Sequence, residues 1–230
     1  MKTAGLIGGM SWESTIPYYR IINEKIKEVL GGLHSAKILL YSVDFDEIEK
    51  CQSNGDWDRS AQILGEAASG LEKAGADFIV ICTNTMHKVV PQIEKMIGIP
   101  VIHIADATAD VLKKDGISKV ALLGTRYTMT EDFYVSRLKE RGFEVLIPEK
   151  DDIERVNDII FNELCLGIIK EGSRKEYSAI IRKLADRGAQ AVILGCTEIG
   201  LLIKQEDSVI PVYDMTEIHA LKAAEKLLEE

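Results

Sequence analysis

Short apolar runs alternate along the chain with longer stretches of helical period, the pattern of βα units around a mainly parallel sheet. The runs Ala4–Ile7, Ile38–Val43, Phe78–Ile81, Val101–Ile104, Val120–Leu123, Glu144–Ile147, Ala191–Leu194 and Val209–Tyr213 read as strands. Asp58–Lys73, Thr130–Arg141, Ile153–Ile168, Lys175–Asp186 and Met215–Leu228 read as amphipathic helices between them. Gly75, Gly142 and Gly188 each follow a helical stretch, where a left-handed residue closes the last turn. Pro91 interrupts its segment, so the helix after Met86 is expected as two short pieces.

The pattern also repeats. AGLIGG (4–9) is similar to VALLGT (120–125), each a strand closing on a glycine. AGADFIVICTNTM (74–86) aligns without gaps on RGAQAVILGCTEI (187–199), a shift of 113. IPVIHIADATA (99–109) aligns on IPVYDMTEIHA (210–220), a shift of 111. Three segments in the same order at nearly constant shift point to an internal duplication. The expected halves are 1–115 and 116–230, two similar Rossmann-like α/β domains with mainly parallel sheets.

Composition narrows the function classes. The chain has 230 residues, 46% hydrophobic and 28% charged, enough apolar content for real cores. The net charge of −9, with Lys and Arg scattered, argues against nucleic acid or an anionic membrane as partner. No apolar run reaches the length of a membrane span, and MKTAGLIGGMSWES lacks a signal-peptide core, so a cytoplasmic protein is expected. The four cysteines, at 51, 82, 165 and 196, are never closer than 31 residues, which leaves no CxxC zinc or redox motif. His34, His103 and His219 have no metal-ligand spacing either. A functional cysteine here would act as a thiol or thiolate.

The duplication sets Thr83 on Cys196, Cys82 on Gly195, Asn84 on Thr197 and Thr85 on Glu198. Side chains alternate faces along a strand, so the counterpart of the Cys196 thiol is Thr83 and not its neighbour Cys82. Both loops follow a strand's carboxyl end, where functional loops of open α/β sheets sit. Two halves related by a pseudo-twofold axis would set Thr83 and Cys196 on opposite sides of one cleft. That geometry suits a reaction that removes a proton from one face of a carbon and returns one to the other, as racemisation does. The side chains of Asn84, Thr85 and Thr197 and the loop N–H groups, especially at helix N-termini, could hold a carboxylate and stabilise developing negative charge. A free thiol near pKa 8.5 is mostly protonated at neutral pH, so Cys196 needs help to act as a base. Thr83 is a still poorer base and needs a neighbour or water to supply its proton; its other reading is carboxylate binding alone.

GLIGGMSWEST (5–15), CTNTMH (82–87), LLGTRYT (122–128) and GCTEIG (195–200) together resemble the aspartate/glutamate racemase family, the PLP-independent amino-acid racemases, over essentially the whole chain. In that family the usual pair is a cysteine in C-N-T and a second in G-C-T. Here the first is replaced by Thr83 and the second stands at Cys196. GCTE and GGMS favour the aspartate-racemase side of the family. The resemblance implies two similar α/β domains with the active site in the cleft between them, no metal or cofactor, and a homodimer. It also implies a C-terminal helix, about 215–230, that packs back on the first half. The second cysteine is generally the base for the L-enantiomer, so with Thr83 opposite the enzyme is expected to favour L-substrates.

Aspartate racemases, as the resemblance suggests, hold the side-chain carboxylate with an arginine after the second strand and a lysine in a later helix. Here those stretches offer SVDFDEIE (42–49) and Cys165, so neither cation is present; Arg126 or Lys50 would have to compensate. Aspartate or glutamate leads as substrate by family, with a broad amino-acid specificity open beside it. Met10 and Gln52 are further binding candidates, near the ends of the first and second strands. Glu198 either tunes the thiol or caps the following helix, and His87 either supports the first loop or touches substrate. The glycines at 5, 8 and 9 lack the GxGxxG spacing and read as a tight turn that lets the backbone approach a small ligand. Cys51, Cys82 and Cys165 read as small packed hydrophobes. Two other classes fit the same residues: a malonate-type decarboxylase that needs only Cys196 as proton donor, and an amino-acid-binding protein without catalysis.

Overall fold

The computed structural model describes residues 1–229. The elements run β1 (Ala4–Gly8), α1 (Trp12–Leu30), β2 (Ile38–Ser42), α2 (Phe45–Asn54), α3 (Trp57–Lys73) and β3 (Phe78–Ile81). A 3-10 turn over Thr85–Val89 leads into α4 (Val90–Ile93), then α5 (Ile104–Lys114), β4 (Lys119–Leu123), α6 (Arg126–Thr130), α7 (Asp132–Glu140) and β5 (Glu144–Leu146). The chain closes with α8 (Lys150–Asn162), α9 (Glu171–Asp186), β6 (Ala191–Leu194), α10 (Ile199–Leu202), β7 (Val212–Asp214) and α11 (Met215–Leu228). It divides into two compact units, one of Met1–Ile104 with the segment from Thr216 onward, the other of Ala105–Met215.

In the first unit the parallel sheet has the order β2-β1-β3. Alternation along β1 and β3 sends Ile7, Ile79 and Ile81 to one face, where they pack with Ile48, Leu64, Ala68, Val90 and Ile93. Ala4, Leu6, Phe78, Val80 and Cys82 go to the other, against Tyr18, Ile22 and Ile26 of α1 and Ala220, Ala223, Ala224 and Leu227 of α11. Each fully buried isoleucine or leucine contributes about 1.5–3 kcal/mol. Capping starts the outer helices: the Asp44 carboxylate accepts from Asp46 N–H at 3.2 Å and Asp56 from Arg59 N–H at 3.0 Å.

In the second unit the parallel order is β5-β4-β6-β7. Ala121, Leu123, Val192 and Leu194 share a face with Val156 and Ile160 of α8 and Tyr177, Ile181 and Leu184 of α9. Helix α5 is tied within this unit by Arg137 to Asp106 (2.9 and 2.7 Å) and by the Tyr213 hydroxyl to Asp115 (2.7 Å).

Strand register carries the duplication. Ile7 pairs with Ile81 as Leu123 pairs with Leu194. The bridge Ile79–Val101 corresponds to the pair Val192–Val212, and the starts of α5 and α11, Ile104 and Met215, correspond in turn. The two corresponding helices fall, each but for its first residue, in opposite units, α11 with the first sheet and α5 with the second.

Some expected boundaries shift. Val101–Ile104 is reduced to the single bridge Ile79–Val101, and α5 begins at Ile104. The last strand is Val212–Asp214, not Val209–Tyr213; it starts after Pro211, whose carbonyl accepts from Val192 N–H at 2.9 Å. The stretch Thr130–Arg141 divides at Glu131, whose extended backbone (φ −92°, ψ 155°) ends a separate short helix that Thr125 caps at its start by accepting from Thr128 N–H at 3.3 Å. The helix expected over Ile153–Ile168 starts earlier, at Lys150, and ends at Asn162 before a 3-10 turn over Leu164–Leu166. Pro91 stands in the first turn of α4 and separates it from the 3-10 turn. Gly75, Gly142 and Gly188 have φ of 99°, 93° and 94°. No helix among the described residues is long and apolar enough to cross a membrane.

Candidate active site

The loop after β3 is held from below. Ser14 Oγ, in the first turn of α1, donates to Cys82 O at 3.2 Å and to Ser11 O at 2.8 Å. Thr15 Oγ1 accepts from Gly9 N–H at 2.9 Å, tying the end of β1 to the same helix. Gly9 has φ +91°, and a Cβ there would run into Val43 O, so only glycine lets β1 turn here. Beyond Cys82 the chain exposes part of Thr83, buries the Asn84 side chain, and enters the 3-10 turn at Thr85. His87 is 1% exposed and its Nδ1 lies 2.9 Å from Thr83 O and 3.2 Å from Asn84 O. Carbonyls only accept, so Nδ1 carries the hydrogen. Burial, with His103 and His219 beside it, pushes the His87 pKa well below the ordinary range and keeps the ring neutral.

The loop after β6 is built differently. Gly195 N–H donates to Leu123 O at 2.5 Å, and a Cβ on Gly195 would stand 2.7 Å from that same oxygen. The glycine therefore brings β6 close to β4 just before Cys196. The Cys196 thiol is 7% exposed, packs with Val192 and Leu194, and donates to Glu198 Oε2 at 2.9 Å. Thr197 Oγ1 donates to the same oxygen at 2.6 Å. Burial and then the Glu198 charge push the thiol pKa well above its ordinary value, so the resting sulfur holds its proton. Cys82 is also pushed up, by burial alone, and faces the core with Val80.

Two groupings of the expected residues emerge. Cys196, Thr197 and Glu198 form one hydrogen-bonded cluster; Thr83 and Asn84 meet through His87, with Thr85 opening the turn between them. Met10 is 4% exposed and packs in the core with Met86, and Gln52 Nε2 donates to Met86 Sδ at 2.9 Å, supporting the turn from α2. Lys50 pairs with Asp46 at 2.6 Å and Arg126 with Glu154 at 2.5 Å, both on exposed surfaces. Glu198 meets the thiol through its carboxylate and makes no side-chain bond capping α10. Cys51 and Cys82 are buried, and Cys165 is partly buried beside the second core. Among the described residues, no three His, Cys, Asp or Glu are placed to hold a metal. The roles of Ser14 and Thr15 were not drawn from the sequence, although serine and threonine at a helix start are the signal for them.

Residues 7–223 match the model of the Asp/Glu/Hydantoin racemase family. The chain belongs to this family. Membership makes it an isomerase of the amino-acid racemase class. It is 58% identical to a protein of Yersinia pestis provisionally assigned as an Asp/Glu racemase, whose crystal structure superimposes with a TM-score of 0.95 over 100% of both chains. It is 39% identical to an aspartate racemase homologue from Pyrococcus horikoshii OT3, with a TM-score of 0.88 and 100% of both chains covered. A broad specificity amino-acid racemase of Bacillus subtilis (strain 168) is 25% identical over 226 residues, 91% of each chain. Glutamate racemases share the two-domain fold at lower identity, as in the Francisella tularensis structure with a TM-score of 0.66.

Proposed function

We propose that this racemase-family protein exchanges the α-proton of an amino acid without a cofactor, with Cys196 acting on one face of Cα and Thr83 on the other. The observation that carries the reading is the Cys196 thiol donating to the Glu198 carboxylate at 2.9 Å, at the strand end that matches Thr83 in register. A thiol whose pKa is raised is a poor base until its proton leaves, and Glu198 is the acceptor in place. Glu198 takes the S–H proton, the thiolate takes the α-proton, and the electron pair left on Cα delocalises into the substrate carboxylate. The Thr83 hydroxyl then gives its proton to the other face and takes one back from water, and the hydroxide so formed is neutralised by the proton that Glu198 releases, which returns all three groups to their starting states. Asn84, Thr85, Thr197 and the loop N–H groups bind the carboxylate, and Met10 and Gln52 shape the site from the first unit. The stronger acid–base pair is at Cys196, so the enzyme favours the L-enantiomer. The working form is a cytoplasmic homodimer.

Aspartate and glutamate are the leading substrates, in line with the aspartate racemase homologue. One observation favours a broader range: both candidate cations, Lys50 and Arg126, are already paired with acidic partners on the surface. A panel of L- and D-amino acids assayed for the opposite enantiomer tests the reading. Interconversion of at least one pair, lost in Cys196→Ser, is expected. Carbon dioxide release from a malonate-type acid without racemisation would instead select a decarboxylase, and binding without α-proton exchange a non-catalytic module.

A further inference from the structure

Three imidazoles meet inside the first unit, under the Thr83 loop. The His87 ring centroid lies 4.7 Å from that of His103 and 5.5 Å from that of His219, at interplanar angles of 63° and 67°. His219, on α11, is fixed at both nitrogens: Nε2–H donates to Ile102 O at 2.8 Å, and Nδ1 accepts from the Tyr18 hydroxyl at 2.8 Å. An anchored ring thus packs edge-on against His87. His87 Nε2 is a buried acceptor with no hydrogen-bond partner among the described residues. Leaving such an atom unpaired costs stability that an apolar ring would not. What the imidazole gains for that cost is its other nitrogen, aimed at two consecutive carbonyls.

We propose that His87 is the positioning residue for Thr83, its Nδ1–H holding the carbonyls of Thr83 and Asn84 and so fixing the peptide planes that carry the threonine hydroxyl. The inference rests on the reading of Thr83 as the second acid–base group. A trans peptide points its carbonyl and its following N–H in opposite directions. Drawing the two carbonyls onto the imidazole therefore turns the N–H groups of Asn84 and Thr85 away from it. The duplication sharpens the point. The counterpart of His87 at the shift of 113 is Gly200, where a Cβ would run into the Asp214 carboxylate. The second loop serves its thiol with Glu198 instead. Only the half whose reactive group is a weak hydroxyl carries an imidazole beneath it.

The test compares wild type with His87→Leu, His87→Asn, His87→Gln and Thr83→Val. Two rates are read: α-deuterium uptake into L-substrate, which needs Cys196, and conversion between enantiomers, which also needs Thr83. In His87→Leu, conversion falls about tenfold in kcat with KM little changed, the worth of one well-made hydrogen bond. L-substrate exchange stays within about twofold, because its groups lie in the other loop. Asparagine keeps a donor close to the Nδ1 position and restores conversion; glutamine, with its donor further out, does not. Should leucine prevent folding, the Asn and Gln pair decides alone. Equal loss of both rates in every His87 variant, or no loss in any, overturns the proposal. If Thr83→Val leaves conversion intact, the reading of Thr83 fails and the inference with it. If Thr83→Val stops conversion while the His87 variants do not, only the inference fails.

Discussion

Replacing Glu198 by glutamine keeps the side chain's shape and removes its charge. The carboxylate accepts from Cys196 at 2.9 Å and from Thr197 at 2.6 Å, so the change strikes the thiol directly. A hydrogen bond to a charged group is worth about 1.5–3 kcal/mol. Glutamine still offers an acceptor worth about 0.5–1.5 kcal/mol, so about 1–1.5 kcal/mol of preference for the protonated thiol is lost and its titration midpoint falls by about one pH unit. Catalysis moves the other way. Without an acceptor for the S–H proton, α-proton exchange slows by about a hundredfold, the lower range for loss of a general base. The assay follows alkylation of the Cys196 peptide against pH by mass spectrometry, which separates it from Cys51, Cys82 and Cys165, together with deuterium uptake into substrate. A more acidic thiol in a slower enzyme is the predicted pairing. An unchanged or higher midpoint, or undiminished exchange, would refute Glu198 as the proton acceptor.

Gly195→Ala sets a Cβ 2.7 Å from Leu123 O, a backbone atom that cannot step aside, and should cost about 1–3 kcal/mol in urea unfolding. Gly9→Ala combines φ +91° with a collision at Val43 O and should lower stability by about as much, with the loss seen as a lower thermal midpoint. Burial holds His219 at a pKa of about 4, so the unfolded chain binds the extra proton first as pH falls below about 6.5. Its contribution is fully present above that value and is lost on the way down to the folded pKa, about 2 kcal/mol between pH 7 and pH 5, with His87 adding in the same direction. Urea midpoints at the two pH values check this, and His219→Gln should flatten the dependence.

Much of the architecture is legible in the sequence where a run is apolar throughout. Phe78–Ile81 and Ala191–Leu194 are buried on both faces and flanked by turn residues, so pattern alone bounds them, and Met215–Leu228 keeps its period to both ends. Val101 and Ile102 are equally apolar, but only Val101 bridges to the sheet before α5 starts at Ile104, a boundary that hydrophobicity does not encode. The break at Glu131 likewise lies at one extended residue between two helices, which the apolar period does not mark. At the site, the shift of 113 pairs Thr83 with Cys196, and matching strand registers support that pairing. The Glu198 contact could be posed from the sequence only as one of two roles, because a neighbouring carboxylate can turn to the thiol or to the helix. His219 lies 132 residues from His87 in the chain, and nothing in spacing alone brings the two rings together.

The central claim is that one face of the substrate is served by a thiol–carboxylate pair and the other by a threonine. Incubating each enantiomer in deuterated water and following α-deuterium in the recovered starting material tests it most directly. Faster uptake into the L-enantiomer is predicted, lost in Cys196→Ser, with uptake into the D-enantiomer rising in Thr83→Cys. Equal uptake from both enantiomers in the wild-type protein would contradict it.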